Sequence, residues 1–109
     1  KMKSTREISR FLAPHIQKND LLVSLAVFKP SLVFYAKHIV EDLDGIDGFY
    51  LRMQEKRRVF CFMRKSDFYK IREELNQRHV SLPLYLFAQT KKYVIISNYK
   101  PYSSISLTA

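Results

Sequence analysis

Hydrophobic residues run from Leu21 to Phe28 with only Ser24 interrupting them (LLVSLAVF). Side chains alternate across a strand, so this segment is apolar on both faces. That is the pattern of a central strand in a sheet covered on both sides. Lys29-Pro30-Ser31 closes the run. Pro30 cannot donate to a ladder and suits the first turn of a helix, so the strand is expected to stop at Phe28 or Lys29. A short helix from about Ser31 to Lys37 and a second strand over His38–Glu41 follow. Residues 21–40 approach the length of a membrane span. Lys29 and Lys37 lie inside them, however, and Pro30 breaks them near the middle. A span needs about 20 predominantly apolar residues with few or no charges.

Upstream, Ser4-Thr5-Arg6-Glu7 has the form of a capping box. Ile8, Phe11, Leu12 and Ile16 follow at helical spacing. Pro14 should kink this helix or end its first segment near Ala13. Downstream, Glu41–Gly48 (EDLDGIDG) is an acidic loop with Asp47 near a helix start, and Phe49–Lys56 is expected to be a short helix. Val59–Met63 (VFCFM) is a second strand apolar on both sides, with Val59, Cys61 and Met63 on one face and Phe60 and Phe62 on the other. Ser66 is the expected cap of the next helix. Phe68, Ile71, Leu75 and Tyr69 form its inner stripe, Lys70, Arg72, Glu73 and Glu74 face water, and it ends near Arg78-His79. Leu82–Gln89, with Pro83 at its beginning, and Tyr93–Ser97 read as two strands joined by Thr90-Lys91-Lys92, an antiparallel hairpin. Helices and strands alternate up to this hairpin. The expected fold is therefore a layered α/β/α sandwich, its sheet of about five strands mostly parallel with an antiparallel C-terminal hairpin and helices on both faces.

A length of 109 residues, 47% of them hydrophobic, allows one domain with one core. That domain is expected over residues 1–102, with 103–109 a polar tail. The opening KMKSTRE lacks the apolar stretch of a signal peptide. Both glycines, Gly45 and Gly48, sit in the acidic loop, so neither a P-loop nor a G-x-G-x-x-G turn can be built. The single cysteine rules out an internal disulfide and a multi-cysteine zinc site. A formal charge of +9 points to nucleic acid, anionic lipid headgroups or phosphate-bearing molecules as partners, with a solvated basic surface as the plain alternative.

No residue pattern stands out as catalytic. His15, His38 and His79 lack ligand spacing. The acidic loop departs from the calcium-loop template. Counted from Asp42, the fifth, sixth and twelfth positions hold Ile46, Asp47 and Met53 where an oxygen ligand, Gly and Glu are required. Cys61 lies between two phenylalanines on a buried strand, where packing outweighs nucleophilic chemistry. RRVFCFMRK alternates aromatics as an RNA-recognition strand does, but lacks the glycine of that motif and the open sheet face that base stacking needs. This argues against nucleic acid. No catalytic, cofactor-binding or metal residue is assigned.

The succession of a capped helix, an apolar strand, Pro30-Ser31-Leu32-Val33-Phe34-Tyr35, the segment RVFCFMRKSDF and a hairpin ending YVIISN resembles one family across about residues 4 to 98. It is similar to the soluble C-terminal domain of bacterial polytopic membrane glycosyltransferases, the enzymes akin to dolichyl-phosphate-mannose protein mannosyltransferase and lipid A aminoarabinose transferase. The Pro30–Tyr35 segment after a buried strand and the Val94–Asn98 strand carry the likeness. The resemblance implies an extracytoplasmic, periplasmic domain of an enzyme that moves sugar from a polyprenyl-phosphate donor to a lipid or protein acceptor. In that family the catalytic carboxylates lie in loops between membrane helices, so the resemblance places none of them here and implies a non-catalytic domain. The membrane portion of the parent enzyme is the implied partner, with anionic lipid or acceptor phosphate against the basic surface. The competing reading from the residues is a stand-alone basic module binding nucleic acid or protein.

Overall fold

The computed structural model describes residues 10–25 and 40–100. Five strands form one sheet: β1 (Leu21–Leu25), β2 (Val40–Leu43), β3 (Val59–Arg64), β4 (Tyr85–Gln89) and β5 (Tyr93–Ser97). Their order is β2-β1-β3-β5-β4. β1 pairs in parallel with β2 and β3, and the β4–β5 hairpin then adds antiparallel to β3. The sheet is thus the expected α/β arrangement, parallel on one side and antiparallel at the hairpin.

The two-sided apolar segments occupy the inner positions. Val23 and Leu25 of β1 join Val59, Cys61 and Met63 of β3 in one core cluster. Leu22 of β1 joins Phe60 and Phe62 of β3 in the other. Strand alternation therefore sorts the chain as its sequence pattern predicts. β2 includes Val40 and Glu41 from the expected second strand and runs on through Asp42 to Leu43. The Ser4 capping box, the helix over residues 31–37 and the tail 103–109 lie outside the described residues.

Among the described residues, two helices cover the first face. α1 (Ile46–Met53) begins three residues before the expected start and ends three residues before the expected end. Gly45 explains its start: φ is 105°, a conformation that favours glycine, and it turns the chain straight into Ile46. Phe49 and Met53, one turn apart, are buried on the sheet. α2 (Lys65–Gln77) follows β3 without a loop. Ser66 is not its cap, because extended Arg64 takes that position and the Lys65 N–H donates to the Lys92 carbonyl at 2.8 Å. The helix ends as expected near Arg78-His79. His79 adopts φ 56°, its N–H donates to the Asn76 carbonyl, and the Val80 N–H donates to the Leu75 carbonyl. This is a Schellman cap with His79 where glycine is usual, closed by Leu75 and Val80 in the same cluster.

The opposite face is packed in the described residues by the segment around Leu12. Residues 10–12 are helical and Ala13-Pro14-His15 turns, so the helix stops where proline removes a donor. The His15 and Ile16 N–H groups both donate to the Leu12 carbonyl. Leu12 is buried with Phe60, Phe62, Phe87 and Ile95. β4 is shorter than the expected Leu82–Gln89 strand: residues 81–84 make no ladder, and Pro83 has no N–H to offer one. A register shift between Leu86 and Ala88 bends this edge strand. Thr90 shapes the hairpin turn, its Oγ1 accepting from the N–H groups of Lys92 and Tyr93. No helix of the described residues is long and apolar enough to cross a membrane.

Candidate functional site

The residues with the most obvious chemistry are dispersed by the fold. In the acidic loop, Glu41 is gripped by Arg52 through two hydrogen bonds of 2.9 and 2.7 Å. The hydrogen bond from Arg52 holds the Glu41 carboxyl below its ordinary range. Arg52 also reaches Glu55, which pairs in turn with Arg57. Asp47 meets Arg78 at 3.1 Å. Asp42 and Asp44 are exposed. Among the described residues, no three of His, Cys, Asp and Glu come together in a way that could hold a metal ion.

Cys61 is fully buried, and burial pushes its thiol far above the ordinary range. It is a packing residue, poor in thiolate. His15 packs its ring against Phe11 and Phe87, with centroids 5.1 and 5.5 Å apart. His79 serves the helix cap described above. His38 lies outside the described residues.

Two polar ties hold the start of β3, and the sequence pattern indicates neither. Arg58 donates to Asp20 Oδ2 from Nε (3.2 Å) and Nη2 (2.6 Å), and to the His15 carbonyl. Its guanidinium also lies over the Phe60 ring. Buried Asn98 accepts from the Val59 N–H and donates to the carbonyls of Glu55 and Arg57. Both ties bridge residues about forty apart in sequence, a separation that hydrophobic periodicity cannot reveal.

A groove of about 590 Å³ opens between α2 and the hairpin. α2 packs over β3 and β5, so part of the β4 face stays open. Leu75, Leu84 and Val94 are among the apolar residues that line the groove, and Leu86, 36% exposed, stands on its β4 side. The helix supplies Lys65, Phe68, Tyr69 and Arg72. Their spacing of three, four and seven places them on one helical flank. Tyr69, expected in the inner stripe, is 61% exposed here. Arg72 lies over the Phe68 ring, 5.7 Å from its centroid. Neither Lys65 nor Arg72 forms an ion pair among the described residues, while Asp67 pairs with Arg64 and Glu74 with Arg78. The signal was present in the sequence as cation, aromatic, aromatic, cation at helical spacing, but Arg72 reads there as an ordinary solvent-facing residue.

No family model matches the chain, and no curated protein matches it. Solved structures do. The chain is similar in fold to ArnT from Cupriavidus metallidurans in the apo state, with a TM-score of 0.68 and 14% identity over 86% of this chain. The same protein bound to undecaprenyl phosphate gives a TM-score of 0.62 and 15% identity, again over 86% of this chain. The match spans only 20% and 19% of those ArnT chains, so this chain corresponds to about one fifth of ArnT. At such identity the likeness establishes a shared fold.

Proposed function

We propose that this chain is an extracytoplasmic domain of a membrane glycosyltransferase of the ArnT type, one that takes sugar from a polyprenyl-phosphate donor. The observation that carries this reading is the fold match over 86% of the chain to a segment making up one fifth of ArnT. The sequence resemblance at Val94–Asn98 also supports it. The domain's role is accessory: it holds an acceptor or shapes access to the membrane cavity, and sugar transfer takes place elsewhere in the parent. Support for an accessory role comes from the engagement of Glu41 and Asp47 in ion pairs and the burial of Cys61.

The test is sugar transfer from polyprenyl-phosphate donors by the parent protein, by the parent lacking this domain, and by the domain alone. The expected outcome is activity in the first only, with the membrane portion of the second still folded. Turnover by the domain alone that depends on Asp42, Asp44 or Asp47 would overturn the accessory role. A parent reading frame without hydrophobic spans would overturn the membrane-enzyme reading. Cysteine labelling from either side of the membrane tests the periplasmic placement.

A further inference from the structure

The groove between α2 and β4 is long, and polar groups are spread along it. The sheet register fixes its ends. Val94 pairs with Met63 on one side and Gln89 on the other, so Gln89 lies at the same end as Lys65, just past β3. Asn76 and Ser81 line the far end. From Lys65 to Asn76 the helix rises roughly 16 Å, the length of about five residues of extended chain. Tyr69, 61% exposed, and Arg72 stand between these ends. Arg72 is steered by its place over the Phe68 ring. Leu75 and Val94 are buried beneath, so the apolar surface on offer is mainly Tyr69 and Leu86. The two cations, Lys65 and Arg72, have no carboxylate partner among the described residues, in a chain of net charge +9.

We infer that this groove binds an extended acidic segment of a partner protein, with two carboxylates four residues apart and an apolar side chain midway. Alternate side chains of an extended chain face the same way, roughly 7 Å apart. The first, third and fifth then meet Lys65, Tyr69 and Arg72. The two cations are about 10 Å apart along the helix, and their long side chains absorb the difference. Each takes a carboxylate in a charge-assisted bond. The Tyr69 ring and Leu86 cover the apolar side chain between them. Asn76, Ser81 and Gln89 supply amide and hydroxyl groups for the segment's own peptide groups. The edge of β4 is not the rail, because Pro83 and the bulge between Leu86 and Ala88 blunt it against a further strand. Side chains, and not a ladder, hold the segment. An acidic saccharide is the weaker fit, since it offers no apolar side chain to Tyr69 and Leu86. The inference does not rest on the transferase reading, since it follows from the groove's own residues.

The probe is the peptide ETVTE, blocked at both ends and titrated into the 109-residue chain. Calorimetry gives affinity, and amide shift changes locate the site. The expected result is saturable one-to-one binding that weakens as salt rises, with shifts at Lys65, Tyr69, Arg72 and Gln89. QTVTQ lacks the charges, and TEEVT turns the two carboxylates to opposite faces. Each should bind at least fivefold more weakly. A Lys65→Gln/Arg72→Gln double variant should lose at least tenfold, with its thermal unfolding unchanged. Lys18→Gln removes an exposed charge at the turn before β1, outside the groove, and should leave affinity within twofold. Tyr69→Ser should erase the preference for ETVTE over ETSTE. No saturable binding, equal affinity for TEEVT, undiminished binding by the double variant, an equal loss in Lys18→Gln, or shifts confined to another surface would each overturn the proposal. Tighter binding of digalacturonate at the same residues would overturn it in favour of an acidic saccharide.

Discussion

Asn98 and Val59 are joined twice: the Val59 N–H donates to Asn98 Oδ1 at 2.8 Å, and the Asn98 N–H donates to the Val59 carbonyl at 3.4 Å. Asn98 lies just past β5, and Val59 opens β3. The side-chain amide thus extends the ladder by one step. Its Nδ2 then gathers the carbonyls of Glu55 and Arg57, ordering the loop between α1 and β3. Asn98→Ala would leave a buried donor and two carbonyls without this partner, and should cost about 2–3 kcal/mol. Asn98→Asp keeps the acceptor but points a carboxylate at two carbonyls. It should be at least as damaging. Urea denaturation with an unchanged slope checks both, and a harmless Asn98→Asp would contradict the hydrogen-bond directions.

The Arg58–Asp20 pair ties the segment before β1 to the residue before β3. Side-chain exposures of 15% and 7% make it a largely buried pair. Removing one partner strands the other charge, so Asp20→Ala should destabilise by about 3 kcal/mol. Arg58→Met keeps much of the stem over Phe60 and loses the charge. The double variant should then be less damaged than the sum of the two single changes. Additive losses in a double-mutant cycle would show that the two side chains do not act together.

At the end of α2, His79 holds a positive φ of 56° and is exposed. Glycine has no Cβ to strain there. His79→Gly should therefore stabilise the chain by about 1 kcal/mol, and His79→Val should destabilise it, branching being least tolerated at positive φ. Thermal melts of the two variants moving in the same direction would refute the capping geometry.

The core was legible because its signal is local. Phe60 and Phe62 separate from Val59, Cys61 and Met63 by alternation alone, and the hairpin follows from two apolar runs around Thr90-Lys91-Lys92. Boundaries set by non-local contacts were not legible. Lys65 starts α2 because the distant Lys92 carbonyl accepts its N–H, whereas the sequence offers Ser66 as the nearer cap. The sequence reads Phe49 as the start of α1, whereas the turn at Gly45 moves that start to Ile46. The groove was hidden for a related reason. Tyr69 reads as an inner-stripe residue and Leu86 as one position of a strand, and the packing of α2 over β3 and β5 leaves both exposed.

Glu41 provides the acid-side prediction. Its carboxyl titrates below the ordinary value because Arg52 donates to it. A depressed native value means stabilisation that is present above the unfolded carboxyl pKa of about 4.3 and is lost as pH falls through the lower native value. The contribution is small, since both side chains are more than a third exposed. The gap in stability between the wild type and Glu41→Gln should be open at pH 6, should close below pH ~4, and should narrow in high salt. A gap that widens on acidification would show the opposite linkage.

Cys61 reports on opening of the whole sheet. It sits in the middle of β3, between β1 and β5, paired with Val23 on one side and Ile96 on the other. It is 0% exposed, and its thiol is pushed upward by burial. A reagent that needs thiolate finds neither access nor charge in the folded chain. Labelling by an aromatic disulfide reagent should accordingly wait for unfolding and be complete at once in concentrated urea. The rate in native buffer should rise when Asn98→Ala destabilises β3, because the open population grows with lost stability. The raised native value also fixes the sign of the alkaline response. Its stabilisation is full below the unfolded thiol pKa of about 8.5 and declines as pH rises beyond it, because the unfolded chain can then release a proton that the fold retains. Prompt stoichiometric labelling of the native chain at neutral pH would place Cys61 at the surface and invalidate the register of β3 between β1 and β5.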